Sequence, residues 1–340
     1  MSPVSSKVYE ARCDVGVLAA GEAAWALAYD VYAPPAGVTP QAVMFCIPGG
    51  GLNRRYYALE VEGAPRYHWA GVMAAQGIVV VAIDPLGLDV NSRPANGYLL
   101  RLKMLAEANG RAVEAIRGRL DRGDIPGVPS CAGLPVVGLG SSMGGAIAVI
   151  TQARRGCYDG LVLLGAHPNG DFAQLMDEIA AIADGDVATM PDRLEGVLRQ
   201  IGRDPYAPMK AGPKTRRVFE GGDTIAVKAL RAASAPVLSV PGISAVVPGG
   251  WRDAAGEVRV PVFLAFGETD FWANPRDSVS YFKACRDVTL AMLPQTGHTH
   301  LVFPSVTALQ QRVIRWVRGL PATAVTGEHL KSGAELECEF

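Results

Sequence analysis

Residues 134–150 read Leu-Pro-Val-Val-Gly-Leu-Gly-Ser-Ser-Met-Gly-Gly-Ala-Ile-Ala-Val-Ile, an apolar run that breaks at glycines around a serine and resumes with helical spacing. Such a stretch predicts a buried strand, a sharp turn and a helix. Within it, Gly140-Ser141-Ser142-Met143-Gly144 fits G-x-S-x-G. A serine at the tip of so tight a turn takes a strained backbone conformation, and a side chain two residues to either side would strike the neighbouring strand or helix. Spacings of this kind also arise by chance among 39 glycines. The strand running in and the helix running out are what give the motif weight.

The rest of the chain repeats that strand and helix alternation. Residues 8–35 alternate loosely around Ala20-Gly21-Glu22, as an edge hairpin does. Continuous apolar runs at 42–47, 78–83, 134–140, 161–165, 260–266 and 288–293 predict strands covered on both faces. Helical patterns lie at 67–76, at 98–122 with Asn109-Gly110 as the one point where it could break, from the Ser142 turn to about 155, at 275–285 and at 305–318. This order implies an α/β fold, a mostly parallel central sheet covered by helices on both faces. The rhythm stops between 167 and 257, where helical patterns at 172–183, 191–201 and 224–233 are joined by Pro- and Gly-rich segments. A structureless loop of that length would be abnormal, so the stretch is predicted to be an inserted helical cap. The expected division is a core of 1–166 and 258–320, a cap of 167–257 and a tail of 321–340.

Bulk properties narrow the partners. Lys+Arg 32 against Asp+Glu 33 leaves no basic field for nucleic acid. No apolar stretch nears the roughly 20 residues of a membrane helix. The charged N-terminus does not resemble a signal peptide, so a cytoplasmic location is expected, with a small-molecule partner and a homodimer left open. The six cysteines, Cys13, Cys46, Cys131, Cys157, Cys285 and Cys338, form no C-x-x-C pair, which argues against a zinc or redox site.

Two further motifs fall after strands, where open α/β sheets collect their sites. One is Gly267-Glu268-Thr269-Asp270 ahead of Phe271, Trp272 and Pro275; the other is Gly297-His298-Thr299-His300. A serine hydroxyl is a weak nucleophile that needs an imidazole base, and the imidazole needs a carboxylate to fix its tautomer. Ser142, Asp270 and His298 offer the three in that chain order. Glu268 competes with Asp270 for the acid, and His300 with His298 for the base.

Together these motifs resemble those of the serine α/β-hydrolases, specifically capped, esterase-like members, over about residues 8–320. The resemblance implies the α/β-hydrolase fold, with Ser142 as nucleophile, His298 as base and Asp270 as orienting acid. It implies an oxyanion hole from the backbone N–H of Met143 and one from Pro48-Gly49-Gly50-Gly51, Gly50 first and then Gly51. That loop carries proline where the family has histidine, so any tether from that histidine is missing. No cofactor or metal is required. Leu52, His167, Trp251, Phe271 and Trp272 are candidate pocket residues, His167 and the aromatics having packing roles as the alternative. Asn53-Arg54-Arg55-Tyr56-Tyr57 is read as pocket lining, as an anion site or as a solvated face. Arg193, Arg199, Arg216 and Arg217 in the cap offer an alternative site for an anionic substrate. The implied activity is hydrolysis of an uncharged carboxylic ester; the same triad also serves lactones, thioesters, amides, C–C bonds and acyl transfer. A ligand-binding protein without turnover is the reading from another class, and it gives no reason for all three groups to be present.

Overall fold

The structure, a computed structural model, describes residues 7–18, 24–89, 92–170, 190–208 and 218–320. The hairpin turn at 20–22, the helical pattern at 172–183, Arg216, Arg217 and the tail lie outside the described residues.

Eight strands form one sheet: β1 (Lys7–Gly16), β2 (Trp25–Tyr32), β3 (Ala42–Ile47), β4 (Ile78–Ile83), β5 (Val136–Ser141), β6 (Gly160–Leu164), β9 (Val262–Gly267) and β10 (Val288–Leu293). A short ribbon of β7 (Tyr206–Ala207) and β8 (Val237–Leu238) stands apart. The sheet order is β1-β2-β4-β3-β5-β6-β9-β10. Pairing is antiparallel between β1, β2 and β4 and parallel from β4 onward. This is the mostly parallel, doubly covered sheet that the sequence predicts.

Strand residues alternate between two cores. Val43, Phe45 and Ile47 of β3 face the same core as Leu161 and Leu163 of β6, while Met44 and Cys46 share the other with Val162 and Leu164. The first core is closed by α2 (Leu102–Arg122), α3 (Met143–Arg155) and Ala255 of α7 (Arg252–Glu257). The second is closed by α1 (Trp69–Ala75) and α8 (Val306–Arg318). Burial on both faces is why the central strands are apolar throughout and not alternating.

One point left open by the sequence is decided and one expectation gives way. The helix α2 runs through Asn109-Gly110 unbroken. Asn109 turns inward, its Nδ2 donating to Tyr158 OH at 2.8 Å and to Thr151 Oγ1 at 3.2 Å. Gly110 leaves room for Arg155, whose Cδ would lie 2.2 Å from a Cβ at that position. Both residues therefore serve the α2–α3 crossing. The helix expected at 275–285 is only a 3-10 turn, Pro275–Tyr281. Its Asp-Ser-Val-Ser sequence favours helix weakly, and Ser280 Oγ bonds back to the Asp277 carbonyl at 2.7 Å.

Between β6 and β9 the described residues hold α4 (Met190–Gln200), α5 (Thr224–Leu230), α6 (Ser239–Ser244) and α7, with the β7–β8 ribbon. Leu194 and Leu198 of α4 pack with Val240 and Ile243 of α6 and with Val247 as a small core of their own. Among the described residues no helix is long and apolar enough to cross a membrane.

The buried Asn109 amide makes a specific stability prediction. Asn109→Ala removes a donor to a Tyr158 hydroxyl buried in the core, and urea unfolding should show a loss of about 1–3 kcal/mol. An unchanged unfolding midpoint would contradict it.

Candidate active site

Ser142 stands between β5 and α3 at φ 52°, ψ −117°, a conformation rare for any residue with a side chain. The turn tolerates it because its neighbours are packed too closely to relax. A Cβ at Gly140 would lie 2.3 Å from Gly144 O, and one at Gly144 would lie 2.1 Å from Ile47 O. The Ser142 N–H donates to Leu164 O at 2.8 Å, tying the turn to the end of β6.

Asp270 follows β9 and His298 follows β10. His298 Nδ1 and Asp270 Oδ1 are 2.8 Å apart, with the two side chains 9% and 1% exposed. A neutral imidazole there donates from Nδ1 to the carboxylate and keeps the Nε2 lone pair free. Asp270 Oδ1 also accepts the Phe271 N–H at 2.7 Å. The two loops are laced together: Thr269 N–H donates to Thr296 O at 3.0 Å and Glu268 N–H to Leu293 O at 2.9 Å. The Phe271 ring lies against the imidazole at 4.1 Å between centroids, and Trp272 presents itself edge-on at 6.4 Å. A Cβ at Gly165 would lie 3.0 Å from both Nδ1 and Cε1 of His298. Ser142 and His298 thus abut one short segment, Leu164-Gly165.

The competing residues are placed differently. Glu268 is exposed and accepts the Gln295 N–H at 3.1 Å, so it staples the turn and does not touch His298. His300 is 0% exposed, and neither ring nitrogen has a hydrogen-bond partner among the described residues. Burial pushes its imidazole down to about 4.

The glycine loop after β3 lies beside the serine, a Cβ at Gly49 falling 3.3 Å from Ser142 Cβ. Around Gly50 there is open space, with no atom within 4 Å of such a Cβ. Gly51 has φ 81°, and its carbonyl accepts the Ala235 N–H at 2.9 Å. Met143 opens α3, so its N–H has no carbonyl one turn back to bond. Leu52, 7% exposed, bridges to Ser234, and the Asn53 N–H donates to Ala233 O at 2.8 Å.

Two of the pocket candidates are committed to packing. His167 accepts the Asn169 N–H on Nδ1, faces Asn274 O through Nε2 at 3.2 Å and stacks on Trp272. Trp251 is 3% exposed and donates from Nε1 to Ala245 O at 3.0 Å. Of the Asn53–Tyr57 run, only Arg55 is solvated. Tyr57 donates its hydroxyl to Ile47 O at 2.7 Å and the Tyr56 hydroxyl accepts the Leu301 N–H at 3.3 Å, both rings fully buried. Residues 218–235 of the insertion also stitch the site together. Val218 O accepts the Thr299 N–H and Val302 O the Asp223 N–H, each at 2.9 Å, while residues 233–235 pair with Gly51-Leu52-Asn53. These links are made by backbone, which leaves no side-chain signal in the sequence.

Comparison with known proteins gives the family and the fold. The sequence pattern of the Alpha/beta hydrolase family matches residues 44–309. The chain belongs to that family. Among solved structures, a highly thermostable carboxyl esterase from Bacillus coagulans matches with a TM-score of 0.59 and 15% identity, over 92% of this chain and 98% of that one. A bromoperoxidase from Bacillus anthracis matches with 0.55 and 16%, over 91% and 99%. The peroxisomal alpha-beta-hydrolase of Saccharomyces cerevisiae matches with 0.58 and 15%, over 93% and 90%. At these identities the likeness is one of fold. No curated protein matches the chain significantly.

In this α/β hydrolase, no group of three His, Cys, Asp or Glu suited to a metal ion occurs among the described residues. His300 gives the site an acid sensitivity. In the folded chain it takes up a proton only near pH 4, whereas in the unfolded chain it does so near its ordinary 6.5. Between these values the unfolded state binds more protons, so stability falls as pH drops from about 6.5 to 4, by on the order of 3 kcal/mol. His300→Leu should flatten that part of the stability profile in urea titrations. An equal acid slope in both proteins would refute the assignment.

Proposed function

We propose that the protein hydrolyses a carboxylic ester, or a closely related acyl bond, of an uncharged small molecule through an acyl-enzyme on Ser142. The observation that carries this reading is the buried 2.8 Å contact of His298 with Asp270, on loops that abut the same Leu164-Gly165 segment as the strained serine. His298 Nε2 takes the hydroxyl proton as Ser142 Oγ bonds to the carbonyl carbon, and Asp270 stabilises the imidazolium. The N–H of Met143 and that of Gly50 or Gly51 hold the oxyanion, each such donor being worth about 10²–10³ in rate. Collapse of the intermediate breaks the bond to the alkoxide, which leaves with the proton from His298. Water then gives its proton to the same nitrogen and attacks the acyl carbon, and as the Oγ–acyl bond breaks His298 returns that proton to Ser142 Oγ and the acid leaves.

Residues 167–257 are proposed as the pocket roof. In support, a Cβ at Gly242 of α6 would lie 4.0 Å from the Met143 sulfur, and the cluster around Leu194, Val240 and Ile243 is apolar. Of the cap arginines, Arg199 is spoken for by Glu195 and the Tyr98 ring. An apolar roof suits an uncharged acyl group, each buried methylene adding about 0.8 kcal/mol of binding. Phe271 and Trp272, whose rings lie 4.1 and 6.4 Å from that of His298, are proposed as pocket walls together with Leu52.

A fluorophosphonate should label the native protein on Ser142. Ser142→Ala and His298→Ala should each lower kcat by about 10⁴-fold or more with the fold intact. Asp270→Asn should cost about 10³–10⁴-fold, and Glu268→Gln less than about tenfold. Full turnover by Ser142→Ala, or a larger loss in Glu268→Gln than in Asp270→Asn, would overturn these roles. Over p-nitrophenyl esters from acetate to dodecanoate, kcat/KM should rise through short and medium chains and then fall. A flat profile, or a preference for substrates bearing a free carboxylate, would exclude the apolar roof.

A further inference from the structure

The glycine loop enters from β3 through Pro48, which has neither an N–H nor a polar side chain to tether it. Its exit is different. Arg54, two residues beyond Leu52, is 14% exposed and meets three carboxylates from other parts of the sheet. Its backbone N–H donates to Asp84 Oδ1 at 2.6 Å and its Nη1 to Asp84 Oδ2 at 2.6 Å. Its Nε lies 3.1 Å from Asp30 Oδ2 and its Nη2 2.9 Å from Glu10 Oε1. Asp84 sits at the end of β4, where its own N–H donates to Ala28 O at 2.9 Å, and Asp30 lies in β2 with a side chain 4% exposed. One guanidinium thus bolts the outgoing end of the loop to β1, β2 and the end of β4.

The arrangement is costly in a way that calls for a purpose. Burial raises the Asp84 carboxyl above its ordinary range despite the arginine beside it. Buried ion pairs of this kind add little net stability over apolar packing, but they fix geometry closely. An apolar side chain would hold the 3-10 turn Arg54–Ala58 against the sheet as firmly, but it would not set its register. The planar fork of arginine, hydrogen-bonded from Nη1 and Nη2 together with the backbone N–H and paired by charge alone with Asp30 beside Nε, fixes both position and orientation. Register matters here because Gly49 packs on Ser142 and the free N–H groups of the loop have to point at one spot beside that side chain.

Resting on the esterase reading above, we infer that Arg54, held by Asp84 and Asp30, is a positioning residue that aims the N–H groups of the Gly49–Gly51 loop at the oxyanion. It touches neither substrate nor Ser142. Its effect falls on the transition state, in which the oxyanion forms, and leaves ground-state binding almost untouched. Displacement of an oxyanion donor by about 1 Å lowers turnover by up to about 10²-fold.

The test compares wild type, Arg54→Lys, Asp84→Asn and the remote core variant Asn109→Ala, with p-nitrophenyl butyrate as substrate and an aliphatic trifluoromethyl ketone as oxyanion mimic. Lysine keeps the charge and loses the fork, and asparagine keeps an acceptor for the Arg54 N–H and loses the charge. For Arg54→Lys the expected result is a fall in kcat of about 10- to 100-fold with KM within about threefold. Affinity for the ketone should weaken in proportion, and Asp84→Asn should show the same pattern to a smaller extent. Asn109→Ala should lose thermal stability with kcat unchanged. If Arg54→Lys does not fold, Asp84→Asn carries the comparison alone. Native kcat and ketone affinity in folded variants of lowered melting temperature would overturn the inference and reduce Arg54 to a structural residue. So would a kcat loss matched by Asn109→Ala. Wild type that resists fluorophosphonate on Ser142 would instead sink the esterase reading itself, so the two failures are distinguishable.

Discussion

The site hangs on a backbone strain that the surrounding packing does not permit to relax. Ser142 at φ 52° costs of order 1–3 kcal/mol locally. It persists because β5, α3 and the end of β3 press together so closely that Gly140 and Gly144 admit no side chain. The strain lifts the serine clear of the strand and leaves the first N–H of α3 unbonded beside it. Everything else at the site is arranged around that fixed point: the glycine loop against the serine, and the β6 end accepting its N–H.

Much of this was legible in the sequence because its causes are local. Short continuous apolar runs marked the central strands to within a residue or two, and G-x-S-x-G marked a turn whose sterics require those glycines. The choice of Asp270 and His298 over Glu268 and His300 came from the family resemblance; the structure adds that both lie just past neighbouring parallel strands. What could not be read is what depends on residues far apart in the chain. Asn109-Gly110 looks like a helix break until Thr151, Tyr158 and Arg155 are brought against it. Arg54 looks like half of a solvated pair until Asp30 and Asp84 surround it. The 275–285 segment has a helical apolar pattern, yet its own serine and aspartate groups compete for the backbone. The sequence leaves His167 and Trp251 open between pocket and packing, and their hydrogen bonds to Asn274 and Ala245 are with residues it does not connect to them.

The loops around the serine are held by three different means. Asp270 and His298 are held by mutual backbone lacing, by the Phe271 ring and by Gly165. The glycine loop is held by an ion cluster on one side and by residues 233–235 on the other. Tyr56 and Tyr57 fill the space beneath, each hydroxyl spent on a backbone group. Rigid support of this kind is what preorganised electrostatic stabilisation demands, because donors that must reorient during a reaction lose their advantage over water.

Residues 218–235 join the glycine loop at one end and the His298 loop at the other, almost wholly through main-chain hydrogen bonds. Those bonds fix the path of the segment, while Ala226, Leu230 and Ala233 fill the core beneath it and the Asp223 carboxylate accepts from Tyr67 OH and Arg66. Substitution at its outward positions, such as the exposed Ile225, therefore leaves both loops in place. An insertion or deletion between those two anchor points would instead shift the register of both loops at once. Diversification here is open to substitution and closed to changes of length.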